Sequence, residues 1–207
     1  MKTCIIFCAA AFEALAAPIE QGDIVIAADG GLRHAEKLGI TPDVILGDFD
    51  SLGYVPTDAQ LFPVEKDDTD AMLAVRQGLK LGHDRFVLYG GLEGPRLDHT
   101  IANLQTLQFL ADNGAVGYLV GENQVVTTVT NGRLTFPPES EGTVSVFCMG
   151  LPATGVTLKG LKYPLAEGTL TPGFPLGVSN SFTGQAAAIE VKNGTLLVIF
   201  DRTQRPG

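Results

Sequence analysis

From the start of the chain to about residue 120, short and uniformly apolar runs alternate with segments of helical spacing. This alternation constrains the fold more than any other feature. The runs cover residues 3–7, 24–27, 44–46, 85–89 and 116–120. Each is too short for a helix and too continuously apolar for a strand with one wet face, so each predicts a strand buried on both sides. Between them, residues 32–38, 69–80 and 99–110 have helical spacing; in the last, Ile101 and Leu104 separate from Gln105 and Gln108 as apolar and polar faces. Gly39 and Gly82 stand where helix C-caps are expected, and Asp98 where an N-cap is expected. Strand and helix in alternation predict a mostly parallel sheet with helices on its faces, an α/β domain over residues 1–120.

After residue 121 the helical periodicity stops. Thr, Val, Gly and Pro gather in short runs separated by turn signals such as Asn131-Gly132 and Asn193-Gly194. Hairpins are the natural reading, clearest where residues 185–191 and 195–200 flank Asn193-Gly194, with further strands at 143–147 and 154–158. A small antiparallel β-sandwich over residues 121–207 is expected.

Charge and cysteine content exclude several function classes. With 14 basic and 23 acidic residues the chain carries −9, which disfavours unaided binding to a nucleic-acid backbone. Three cysteines without a CxxC pair, and three scattered histidines, indicate neither a disulfide framework nor a Cys/His zinc site, and fit a reducing, cytoplasmic setting. No apolar run approaches the ~18 residues of a membrane span. Lys2, the apolar stretch to Phe12 and Ala14-Leu15-Ala16-Ala17 imitate a secretory signal, but Glu13 interrupts the run and residues 4–9 read equally as a buried first strand.

Five constellations carry chemistry. Asp29-Gly30-Gly31 follows a strand and opens a helix, where glycines permit close backbone approach to a ligand; a tight turn with a capping Asp reads it as well. Gly47-Asp48-Phe49-Asp50-Ser51 also follows a strand. On an extended segment its two carboxylates point one way and Phe49 the other, so the pair can share a hard cation. Lys66-Asp67-Asp68-Thr69-Asp70 opens a helix with more carboxylates than capping needs, and facing the previous loop it would complete an oxygen-rich cage for Mg²⁺ and phosphate. The stretch from Gly90-Gly91 through Gly94-Pro95-Arg96 to Asp98-His99 joins strand to helix, with glycine N–H groups and an arginine fork suited to phosphate; Asn103 lies one turn on. Ser179-Asn180 in the β region is a turn or a binding contact. Seven acids, Asp29, Asp48, Asp50, Asp67, Asp68, Asp70 and Asp98, sit in these segments, and without them the sum falls from 14 minus 23 to 14 minus 16. The acidity is local, and suited to a metal-bound polyphosphate.

In this order the motifs resemble those of the thiamine pyrophosphokinases over nearly the whole chain. The resemblance implies an α/β domain that binds ATP and Mg²⁺ and a β-sandwich that binds thiamine and mediates dimerisation. It implies transfer of a pyrophosphoryl group from ATP to the hydroxyethyl arm of thiamine, giving thiamine diphosphate and AMP. It further implies a cytoplasmic homodimer with active sites at the subunit interface. Carried over by position, Asp48, Asp50 and Asp70 would hold Mg²⁺; Asp67, Asp70 and Arg96 would be catalytic, with Asp67 or Asp70 the candidate base. Asp29, Gly30, Gly31, Lys66, Thr69, Gly90, Gly91, Asp98, His99 and Asn103 would shape the nucleotide pocket, and Ser179 and Asn180 would touch thiamine. Asp68 falls on a variable position. The chain departs from the family in carrying Gly-Pro-Arg at residues 94–96 where Gly-Gly-Arg is common, which deletes an N–H donor. It also lacks Trp, leaving Phe174 and Phe182 as stacking candidates. Another acceptor alcohol, such as a hydroxymethylpterin, and a non-catalytic nucleotide or thiamine-binding module are the alternatives.

Overall fold

The computed structural model describes residues 2–50, 52–63 and 67–204. The chain divides into two compact units, Met1–Glu122 and Asn123–Gly207. The first contains β1 (Thr3–Phe7), β2 (Ile24–Ala28), α1 (Leu32–Leu38), β3 (Val44–Gly47), β4 (Gln60–Leu61), α2 (Asp70–Lys80), β5 (Arg85–Tyr89), α3 (Leu97–Asp112) and β6 (Val116–Val120). Its strands pair in parallel in the order β6-β5-β1-β2-β3-β4. Ile6, Ile26, Phe86, Leu88 and Leu119 are fully buried, and each such side chain contributes about 1.5–3 kcal/mol by leaving water. The apolar runs of the sequence are therefore the sheet. The two-residue β4 has no apolar run behind it and was not among the expected strands.

The N-terminal stretch that imitates a secretory signal supplies β1, flanked by β2 and β5. The chain then returns through a long irregular loop pinned by aromatic contacts. Phe12 stacks on Phe7 with centroids 5.7 Å apart and also meets Tyr89 and His34. The Ala16 N–H donates to the Tyr89 hydroxyl at 2.9 Å.

The helices begin and end for local reasons. Gly39 closes α1 in the left-handed conformation at φ 68°, as a C-cap glycine does. Thr69 caps α2, its Oγ1 accepting the Met72 N–H at 3.2 Å. In α3 the expected cap is corrected: Arg96, with extended dihedrals, is the N-cap and Asp98 lies in the first turn. The guanidinium of Arg96 takes the Asp98 carboxylate, which also accepts the N–H of His99. The expected faces of α3 shift too. Asn103, Thr106, Leu107 and Leu110 are buried, whereas Ile101 is 51% exposed. Two polar residues lie on the inner face because each has a backbone carbonyl partner, Gly91 O for Asn103 and Ala102 O for Thr106.

The second unit contains β7 (Gln124–Thr130), β8 (Arg133–Phe136), β9 (Thr143–Cys148), β10 (Ala153–Lys159), β11 (Leu165–Leu170), β12 (Gly177–Ser181), β13 (Ala187–Glu190) and β14 (Thr195–Asp201). They form two antiparallel sets, β12-β9-β14-β7 and β11-β10-β13-β8. Phe136 of β8 meets Phe200 of β14 edge-on at 5.3 Å, joining the two sets. The hairpin expected at Asn193-Gly194 does not form: β13 pairs with β8 and β10, while β14 pairs with β7 and β9. Asn131-Gly132 likewise carries the chain from β7 in one set to β8 in the other. A tight type I′ hairpin turn needs positive φ at both central residues. Only Asn131 of the first pair (φ 45°) and only Gly194 of the second (φ 111°) have it. The two crossings bond to each other instead, Asn131 N–H to Gly194 O at 3.1 Å and Gly194 N–H to Asn131 Oδ1 at 2.9 Å.

Candidate active site

In an open α/β sheet, ligands bind beyond the carboxyl ends of the strands where consecutive crossovers leave in opposite directions. Here β1 leads to β2 on one side and β5 leads to β6 on the other, so the switch falls between β1 and β5. A cavity of about 680 Å³ opens there. Its wall is built from strand ends: Cys8, Ala9 and Ala10 after β1, Ala28 at the end of β2 and Asp29 after it, Asp48 and Asp50 after β3, and Gly90 and Gly91 after β5. The N-terminal end of α2 adds Asp68, Thr69 and Asp70, and the first two turns of α3 with its N-cap add Arg96, His99 and Asn103.

Local conformation explains these placements. Asp29 sits at φ 46° in a short 3₁₀ turn, and Phe49 at φ 59°. The segment 47–50 is therefore turned rather than extended, with the Asp50 N–H donating to Asp48 Oδ1 at 3.3 Å. Phe49 is buried with Ala27, Leu32 and Leu52, and that anchor turns both flanking carboxylates toward the cavity. Glu93, on the loop after β5, also has a positive φ, at 57°. Left-handed conformations in such residues cost on the order of 1 kcal/mol or more and gather where function over-determines the backbone.

The glycines act through space. Gly31 has an ordinary helical φ of −61°, yet a Cβ there would lie 1.9 Å from the Phe7 carbonyl oxygen. Gly31 lets the Asp29 turn press against β1, and Gly30 and Gly31 are not among the residues that line the cavity. Gly90, at φ +69°, does line the cavity, and a Cβ there would meet Ala10 O at 2.3 Å. The buried Asn103 holds the next residue, its Nδ2 donating to Gly91 O at 2.8 Å.

Ligand atoms of Asp29, Asp48 and Asp50 lie within 4.8 Å of one another, the one such metal-capable group among the described residues. Asp70, expected as the third ligand, lines the cavity without joining that group. Asp67 is exposed and does not line the cavity, whereas Asp68, on the variable position, does. Asp68 is held by Arg76, Nε to Oδ2 at 2.9 Å, and the Arg76 guanidinium stacks on Phe109 of α3. Lys66 and Ser51 lie outside the described residues. Arg96 reaches Asp98 through both arms of its fork, at 2.6 and 3.3 Å. This contact lowers the Asp98 carboxyl and raises the guanidinium from their ordinary values. Asp98 itself does not line the cavity; its partner Arg96 does. Burial, with Asp70's charge second, pushes the Cys8 thiol up to about 12, leaving it neutral in the cavity wall.

In the second unit Asn180 is buried and tied to the chain. Its Oδ1 accepts the N–H groups of Tyr163 and Ser181, both at 2.9 Å, and its Nδ2 donates to Tyr163 O at 2.7 Å. Ser179, at φ 57°, donates its N–H to Ser145 Oγ at 3.0 Å. Asn180 also borders a small apolar cavity of about 110 Å³ beside Tyr163, Leu176 and Val178. Of the stacking candidates, Phe174 is exposed and Phe182 packs on Phe136 at 5.0 Å.

Residues 15–116 match the family model of the thiamin pyrophosphokinase catalytic domain, and residues 133–196 that of the thiamin pyrophosphokinase vitamin B1 binding domain. Thiamine pyrophosphokinase of Bacillus subtilis (strain 168) is 26% identical over 183 residues, 84% of this chain and 85% of that protein. The crystal structure of thiamine pyrophosphokinase from Bacillus subtilis superposes with a TM-score of 0.85 at 25% identity, covering 96% of this chain and 98% of the other. The fold also matches thiamin pyrophosphokinase from Candida albicans, with a TM-score of 0.71 at 13% identity over 96% and 89% of the two chains.

Proposed function

Because this chain belongs to the thiamin pyrophosphokinase family, we propose that it transfers a pyrophosphoryl group from ATP to the hydroxyl of thiamine, giving thiamine diphosphate and AMP. The observation that carries the reading is the cavity at the switch between β1 and β5, which sets three clustered carboxylates opposite a glycine loop and an arginine. The family match speaks against a different acceptor alcohol and against a non-catalytic module.

The donor set suits Mg²⁺. Three carboxylates, Asp29, Asp48 and Asp50, bring ligand atoms within 4.8 Å of one another, and hard oxygen donors of this kind are the residues that would hold it. Two full charges at 4.8 Å repel by about 1 kcal/mol in water and about 3.5 kcal/mol at an effective dielectric constant of 20, which favours a site that takes up a cation. Bound there with its remaining positions open to phosphate, Mg²⁺ would neutralise triphosphate charge.

The chain's own groups do the rest. Gly90 and Gly91 leave the cavity open for phosphate, and the Arg96 fork matches phosphoryl oxygens as charge shifts toward the leaving AMP. Asp70, which faces the cavity where Asp67 does not, is the better placed carboxylate to accept the alcohol proton. The second unit, read as a β-sandwich with Ser179 and Asn180, supplies the thiamine contacts. The working form is a cytoplasmic homodimer, whose reducing surroundings suit three free cysteines.

Purified protein incubated with Mg-ATP and thiamine should yield AMP and thiamine diphosphate. ADP with thiamine monophosphate would sink the proposal, as would preference for a hydroxymethylpterin. Asp50→Asn should reduce turnover at least about a hundredfold while keeping the melting temperature, since Asp50 is exposed and carries no packing. Near-normal AMP release by that variant would remove the carboxylate group from the mechanism.

A further inference from the structure

The loop from Gly90 to Arg96 forms one wall of the cavity, and its parts are held unequally. Gly90 O accepts the Ala10 N–H at 3.0 Å, Gly91 O accepts from Asn103, and Leu92 is buried. Beyond these, Gly94 and Pro95 line the cavity, and Pro95 has no N–H with which to anchor itself. Between the two stretches stands Glu93, at φ 57°. Its Oε2 accepts the Glu122 N–H at 2.8 Å, tying the loop to the chain just past the end of β6. The seat for that carboxylate is Gly121: a Cβ there would lie 2.9 Å from Oε2 and 3.1 Å from Cδ of Glu93.

The geometry points to Glu93 as a positioning residue for nucleotide phosphate: its lash to Glu122, over the bare backbone of Gly121, keeps the Gly94 to Arg96 wall in its binding conformation. This inference rests on the nucleotide-binding reading of the cavity. Glu93 touches no substrate in it. A loop released from one anchor spends less time in the competent arrangement, and apparent affinity falls by that fraction. Once nucleotide is bound it orders the loop itself, so the loss appears in binding and not in the subsequent step.

The test compares wild type, Glu93→Ala, Glu93→Gln, Gly121→Ala and the Glu93→Ala/Gly121→Ala double variant. Mg-ATP affinity is measured by calorimetry without thiamine, alongside kcat, both KM values and the melting temperature. Glu93→Ala and Gly121→Ala should each weaken Mg-ATP binding about three- to tenfold, the range of one net hydrogen bond, with kcat within about twofold and the thiamine KM unchanged. Glu93→Gln keeps an oxygen acceptor and should bind like wild type. The double variant should be no weaker than Glu93→Ala, because the added methyl then displaces nothing. Unchanged affinity in Glu93→Ala, a loss confined to the melting temperature, failure of Glu93→Gln to restore binding, or additive effects in the double variant would each overturn the proposal. Wild type that binds Mg-ATP yet forms no thiamine diphosphate would defeat the proposed function and leave the role of Glu93 to be decided by the binding series.

Discussion

Replacing Gly31 by alanine should damage the site without touching any cavity-lining side chain. The new Cβ would stand 1.9 Å from the Phe7 carbonyl oxygen and 2.4 Å from its carbon. Both are backbone atoms of β1, held between β2 and β5, so no rotamer change relieves the contact. A tolerable C···O approach is about 3.3 Å, leaving about 1.4 Å to be found by moving the turn of Asp29–Gly31 away from the sheet. Over-packing of this kind costs about 1–3 kcal/mol, and a displacement of about 1 Å at a reacting centre costs about a hundredfold in rate. Asp29 lies two residues from the insult and carries one of the three clustered carboxylates. The expected result is therefore a modest drop in melting temperature together with a fall in kcat/KM of about two orders of magnitude. The assay is AMP release under saturating and limiting Mg-ATP, with Mg²⁺ titrated, since a displaced Asp29 should raise the Mg²⁺ requirement as well. A variant that melts with wild type and turns over within about threefold of it would refute the account of Gly31 as the spacer between β1 and the carboxylate turn.

Two further outcomes follow from buried groups. Burial pushes the thiols of Cys4 and Cys8 up to about 12 from 9.0; the folded state keeps protons that the unfolded chain loses, so stability is fully present below pH 9 and declines toward about pH 12, by up to about 1.4 kcal/mol per pH unit for each thiol. Urea melts between pH 8 and 11 should show this slope flattened in a Cys4→Ala/Cys8→Ala variant, and an unaltered slope would contradict the burial. Asn103→Leu leaves the Gly91 carbonyl without the donor now at 2.8 Å, a loss of about 1–3 kcal/mol; thermal melts should record it together with weaker Mg-ATP binding, and a variant equal to wild type in both would deny Asn103 its part in holding the loop.

The parallel half was legible because strands buried on both faces must be apolar throughout, a signal that needs no knowledge of their neighbours. β4 escaped because Gln60 and Leu61 are both exposed and carry no such signature. The faces of α3 are not legible because Asn103 and Thr106 look like surface residues until their carbonyl partners are known. In the second unit the strands could be read but not their pairing: Asn-Gly is a local signal, and β13 and β14 choose partners far away in sequence. The site motifs stood out as loops after strands, and the same rule applied to β1 would have found Cys8, Ala9 and Ala10, which have no charged residue to draw attention. Asp68 falls on a variable position of the motif, yet the helix start that presents Thr69 and Asp70 presents it as well. The spacing of Gly30 and Gly31 suggested contact with a ligand; only coordinates reveal that Gly31 yields its room to the Phe7 carbonyl.

β14 lies between β7 and β9, so the strand nearest the C-terminus sits inside its sheet. During translation the first unit, which alone supplies the 680 Å³ cavity, has all its strands once β6 has left the ribosome. At about 5–20 residues per second, another 4 to 16 seconds or so separate that moment from the emergence of β14. Over that interval the nascent protein can hold the first unit's sheet and its cavity while β7 and β9 wait, unpaired with each other, for the strand that joins them. A chain stopped before Thr195 would keep the first unit's sheet and leave the second with two open edges, a species for chaperones or proteases to clear.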